Sequence, residues 1–163
     1  MAMAMTTTTT DKPVSRVSRA VIGAALVATG VGPLLADFVV PRSAGQHMHN
    51  PNWPPHAKFH NAQYIAMGAL SGGYGLRLLS RRGGDQQANL NTAATIAAVP
   101  WLGMFGALLF PGTAASDPEF EDAEPKVLGM HPQLALALTL LAGVTGAVTA
   151  ERVRSGRARR TGR

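Results

Sequence analysis

The 163-residue chain has no cysteine, so it can form neither a disulfide nor a thiolate metal site. Charge is scarce as well. Asp, Glu, Lys and Arg make up 15% of the residues, below the roughly 25% of soluble domains, and acidic residues are the scarcer sign, 9 against 15 basic. Several chemistries leave no pattern: there is no glycine-rich phosphate loop, Walker motif or nucleophile elbow. Asn50-Pro51-Asn52 has proline second and no Ser or Thr third, which excludes glycosylation there. No nucleic-acid recognition fold accompanies the basic residues, so nucleic acid is not an expected partner.

In place of charge the chain has apolar runs. Residues 20–36 carry no charge, lie between Arg19 and Asp37, and reach about 20 residues if the helix continues through Val40, enough to cross a bilayer core of about 30 Å. Further runs cover residues 62–76, 90–110 and 132–150, the first of these diluted by Gln63, Tyr64, Ser71, Gly72, Gly73 and Gly75. The expected fold is all-α, a four-helix transmembrane bundle with helices at about 17–40, 54–80, 89–110 and 132–151. The membrane domain then covers residues 16–153, after a disordered tail over 1–15 and before a basic tail over 154–163. Lys12, Arg16 and Arg19 would also suit the start of a signal peptide, but the run is too long and three more follow.

Charge orients the spans. Lys12, Arg16 and Arg19 precede the first; Arg77, Arg81 and Arg82 join the second to the third; Arg152, Arg154, Arg157, Arg159, Arg160 and Arg163 follow the fourth. The positive-inside rule puts that side, with both termini, in the cytoplasm of a multi-pass protein of the cell membrane. Membrane lipids, anionic headgroups among them, are the expected partners. Small residues four apart, as at Ala24/Ala28/Gly32, Gly68/Gly72, Gly103/Ala107 and Ala142/Gly146/Ala150, suit close helix packing and a homo-oligomer.

Four of the five histidines fall in one short block between the first two runs: His47, His49, His56 and His60. With Pro54 and Pro55 opening the second helix, His56 and His60 are one turn apart on one face that Gln63 and Met67 extend, with Tyr64 at its edge. Polar groups at that depth need protein partners, so the stripe is expected to point inward, with Asp37 at the outer end of the first helix as its partner. Three readings stand open. His56 and His60, oriented by Asp37 and with Gln63 deeper, transfer protons; or His56, His60 and His47 hold zinc or non-heme iron; or the block is an interfacial collar anchored by Trp53, Lys58 and Phe59. The acidic stretch Asp117, Glu119, Glu121, Asp122 and Glu124 lacks the spacing and central glycine of an EF-hand and reads as a solvated loop, open to pairing with Arg42 and Lys58.

The string His47, Asn50, Pro51, Trp53, Pro54, Pro55, His56, Ala57, Lys58, Phe59, His60, Ala62 and Gln63 resembles the signature of an uncharacterised family of small four-span membrane proteins. The signature covers about a tenth of the chain, and the hydropathy layout of the rest resembles that family too. The resemblance implies the four-span fold and no particular activity. In the pattern an acidic residue stands a few positions before the first histidine. Here Asp37 stands ten before His47, with Pro41-Arg42-Ser43-Ala44-Gly45 between them like an insertion. His49 is additional to the pattern and ranks below the other three. The functional expectation is binding or modification of a lipid-like or other hydrophobic small molecule at an outward-facing His/Asp site. The alternative is a non-enzymatic scaffold or partner subunit.

Overall fold

The computed structural model describes residues 13–123 and 125–161. Among them are five α-helices and no strand: α1 Arg16–Leu34, α2 Pro41–Gln46, α3 Pro55–Ser80, α4 Gln86–Ala107 and α5 Pro132–Thr161. Each start has a local cause. Ser15 accepts the Val17 and Ser18 N–H groups through its hydroxyl, Asp85 accepts that of Ala88, and Pro55 occupies the first turn of α3, where its missing N–H is harmless. Of the tail expected over residues 1–15, only 13–15 are described, and there Val14 is buried. The basic stretch from residue 154 continues α5 as helix.

The four long helices pack side by side, α1 against α3, α4 and α5, and α4 against α3 and α5. Small side chains dominate the interior: Ala25, Ala93, Ala94, Ala97, Ala135, Ala137 and Ala147 are buried, as are Gly68, Gly72 and Gly75. Larger apolar groups such as Val31, Leu70, Val99, Leu102 and Leu138 are exposed. That distribution suits helices held by close backbone approach, with an apolar exterior. Three helical segments are long and apolar enough to cross a membrane: Arg16–Val39, Gln86–Ala107 and Pro132–Ala158. The expectation of four such spans is not met on this measure, because α3, at 26 residues, is long enough but too diluted by Gly, Ser, Asn and Gln.

The closest packing is between α1 and α3. Pro33 has no N–H to give the Thr29 carbonyl, its partner four residues back. That carbonyl faces Gly68, where an added Cβ would lie 2.8 Å from it. One turn on, a Cβ on Gly72 would lie 2.7 Å from the Leu26 carbonyl and 2.9 Å from Gly30 Cα. Thr29 also reaches α4, its hydroxyl accepting the buried Trp101 indole N–H at 3.0 Å. The other small-residue spacings work differently: at Gly32, Gly103 and Gly146 an added Cβ would meet nothing within 4 Å.

Beyond Pro33, residues Leu35–Val39 form a π-helical turn, closed by Val40 N–H donating to the Leu35 carbonyl at 2.9 Å, and this turn carries Asp37. At the opposite end of the molecule Arg19 donates to the Leu79 carbonyl and, at 2.9 Å, to Gln86 Oε1. There the buried Glu151 takes the Ser15 N–H and Ser18 hydroxyl on one oxygen and Arg154 on the other. The start of α1, the α3–α4 turn and the basic part of α5 therefore share one end.

Gly72→Ala should destabilise the fold by about 1–3 kcal/mol through overpacking, despite the better helix propensity of alanine, whereas Gly146→Ala should be neutral or stabilising. Thermal unfolding of the purified variants followed by intrinsic fluorescence checks the contrast.

Candidate functional site

The end of the molecule opposite Glu151 is built around Asp37, which is 6% exposed. Its two oxygens have different partners. Asn61, from the second turn of α3, donates its amide Nδ2–H to Oδ2 at 2.8 Å, and His47 Nδ1 lies 3.1 Å from Oδ1. His47 Nδ1 also lies 2.9 Å from the Ser43 carbonyl. Both neighbours of that nitrogen are oxygen acceptors, so Nδ1 carries the hydrogen whether the ring is neutral or charged. Nε2 is left as the basic nitrogen. The hydrogen bond to Asp37 is the main reason the His47 pKa rises above its ordinary value; burial opposes the shift, and the Asp37 charge, the Ser43 carbonyl and the Asp117 charge add to it.

The ten residues separating Asp37 from His47 do not keep them apart. α2 folds the intervening stretch back, pinned where the Ser43 hydroxyl donates to the Ala36 carbonyl at 2.6 Å, and His47 emerges at its C-cap. Trp53 packs edge-on against the His47 ring, with centroids 5.4 Å apart. The acidic loop then closes over this segment. Glu119 accepts Asn50 and Asn52 at 2.7 and 2.8 Å, Asp117 accepts the Trp53 indole at 3.1 Å, and Arg42 donates to the Ala123 carbonyl. The expected solvated loop is thus docked on the histidine block, chiefly through amide and indole donors.

Two cavities meet here. One, of about 450 Å³, is lined mainly by apolar groups, among them Ala28, Gly32, Pro33, Trp101 and Leu136, with Asp37, His47, Asn61 and Tyr64 on its polar side. The other, of about 300 Å³, is more polar and lies under the acidic loop against Thr113, Ser116, Asp117 and Phe120. Gln46, His47, Asn61, His131 and Gln133 line both, so His47 stands in their common wall. The larger volume falls within the roughly 300–1,000 Å³ of small-molecule sites.

Residues 21–160 match the model of a family of unknown function, DUF6640. The chain belongs to that family. No curated protein and no solved structure matches it.

In this DUF6640 chain the inward stripe expected at His56, His60 and Gln63 is turned the other way. All three are exposed. His56 and His60 face each other, Nε2 to Nε2 at 3.1 Å, His60 Nδ1 lies 3.4 Å from Gln63 Oε1, and Phe59 stacks on His56. Neither ring contacts Asp37, because one residue along a helix is a rotation of about 100° and the face that meets α1 runs through Asn61, Ile65, Gly68, Gly72 and Gly75. His47, His56 and His60 are not gathered into a ligand set, and among the described residues no group of three or more His, Asp or Glu is placed to hold a metal. Phe38 packs edge-on against His49 at 6.2 Å. Asn61 was missed in the sequence because nothing marks an asparagine beside two histidines. The glycines at 68 and 72 carried the signal, since seven residues back from Gly68 on the same face lies Asn61.

A histidine whose folded pKa exceeds its unfolded value of about 6.5 contributes its stability in full below that value and loses it as pH rises through the folded one. The melting temperature should therefore fall as pH is raised from 6 through the raised His47 value, and Asp37→Asn should flatten the profile, which a thermal-unfolding series across pH would reveal. Asn61→Ala leaves Asp37 Oδ2 without its donor and should cost about 1–3 kcal/mol in the same assay.

Proposed function

We propose that this protein is a four-span integral protein of the cell membrane, with both termini cytoplasmic, that binds a hydrophobic small molecule by a polar head and exchanges a proton with it through His47. The observation that carries this reading is the 450 Å³ apolar cavity whose polar side is the buried Asp37 with its partners His47 and Asn61. A tail would lie along Gly32, Pro33, Trp101 and Leu136, and a hydroxyl head would donate to the basic Nε2 of the neutral His47 ring, or a carbonyl head accept from Nε2–H of the charged one. Asp37 fixes the tautomer and stabilises the charged ring, and Asn61 fixes Asp37. His56, His60 and Gln63 belong to the outer surface, where with Phe59 they form an interfacial group.

α3 serves as the fourth span in this reading. Its glycine-rich side is spent on α1, which leaves Met67, Leu70 and Tyr74 among the groups exposed to lipid. Both termini and the α3–α4 turn, with their arginines, then lie in the cytoplasm. The partner-subunit alternative is favoured by Gly103 and Gly146, which open on free space.

Photolabelling with a diazirine fatty alcohol tests the site. Label should concentrate on peptides holding Trp101 and Leu136, and Leu136→Trp, which fills the cavity, should abolish it there. Label spread evenly over the outer faces would refute the cavity and favour the partner-subunit reading. A reporter fused to the carboxyl terminus should read cytoplasmic, and an external reading would reverse the orientation.

A further inference from the structure

Three arginines face one open depression at the basic end: Arg16 and Arg19, one turn apart at the start of α1, and Arg82 from the α3–α4 turn, with the small Ala20 beside them. Arg19 is fixed in place by the Leu79 carbonyl and Gln86. Arg82 is near enough to repel it. Neither Arg16 nor Arg82 is paired with a carboxylate among the described residues. The described acidic groups near that end are engaged elsewhere, since Glu151 uses both oxygens on Ser15, Ser18 and Arg154 and Asp85 caps α4. Three like charges are thus converged with no counter-ion among the described residues.

Their depth says what would neutralise them. The segment Arg16–Val39 has 24 residues, about 36 Å at about 1.5 Å each, against a hydrocarbon core of about 30 Å, so its first turn stands at the level of headgroup phosphates. A phosphate offers several oxygens to guanidinium forks and suits a converging set better than a single carboxylate does. We propose that the Arg16–Arg19–Arg82 depression binds the phosphate of an anionic phospholipid headgroup, with Arg16 and Arg82 closing on it and Arg19 as the fixed third charge. This rests on the membrane reading above.

Native mass spectrometry of the full-length protein in detergent, titrated separately with phosphatidylglycerol, phosphatidylcholine and inorganic phosphate, tests it. One phosphatidylglycerol should be held in preference to phosphatidylcholine, and the double variant Arg16→Gln/Arg82→Gln should weaken it roughly tenfold or more. Arg152→Gln, which matches the single variant Arg82→Gln in charge lost and lies at an exposed position of α5, should leave it unchanged. Should the double variant melt early, Arg82→Gln alone, in the exposed turn, gives the same comparison. Equal weakening by Arg152→Gln, or equal retention of both lipids, overturns the site. Retention of inorganic phosphate without lipid preference overturns the lipid assignment and leaves an anion site. Recovery of the protein from the soluble fraction without detergent would instead refute the membrane reading, whatever the lipid result.

Discussion

The approach of α1 to α3 at Thr29, Gly30, Gly68 and Gly72 sets the register on which the Asp37 end of the molecule depends. Two antiparallel helices in contact pair residues whose numbers sum to a near-constant value. Leu26 against Gly72 and Gly30 against Gly68 fix that value, and Asp37 against Asn61 satisfies it about two turns further out. A slip of one turn, about 5.4 Å, would carry Asn61 out of reach of the Asp37 carboxylate. The backbone contact in the middle of the molecule therefore decides whether the polar group at its end is assembled. It can be that close only because two glycines leave the Leu26 and Thr29 carbonyls accessible, and because Pro33 gives the second of these no hydrogen on its own helix.

The helical class could be read from the chain, because apolar runs with prolines and caps at their ends leave few alternatives. Three of the runs are also apolar enough to cross a membrane. Which face of α3 turns inward was open to two criteria, and they disagreed by about one residue, a rotation of about 100°. Chemical interest selected His56, His60 and Gln63, whereas close packing selects Asn61, Gly68 and Gly72. Packing prevails because a misplaced backbone contact clashes at under 3 Å, while exposed imidazoles are readily satisfied by one another or by water. Asp37 was legible for the same reason in reverse: a carboxylate at the end of an apolar run must find partners or face water, and here it is buried with two.

His47 illustrates what local sequence cannot carry. Its return to Asp37 needs α2 to fold back, and the segment that presents it is held from the far side by Asp117 and Glu119, more than sixty positions along the chain. Asn50 and Trp53 of the signature owe their places to those contacts. In sequence they look like members of a histidine motif. In space they fasten the connection between α1 and α3 to the connection between α4 and α5, and the ring that Trp53 braces is the one that touches Asp37.

Two buried carboxylates stand at opposite ends of the molecule, and the comparison between them separates structure from function. Glu151 is 1% exposed, and its donors are a backbone N–H, a serine hydroxyl and a guanidinium, none of which gives up its hydrogen near neutral pH. It pins α5 to the start of α1 and can do little else. Asp37 is held by an amide and by an imidazole that can gain or lose a proton, and both of those partners line a cavity large enough for a ligand. In the proposed function the same group, buried at both ends, is inert at one and takes part in proton exchange at the other. The difference lies in the partners the fold supplies, so the chemistry belongs where the donor can titrate and the space beside it can be filled.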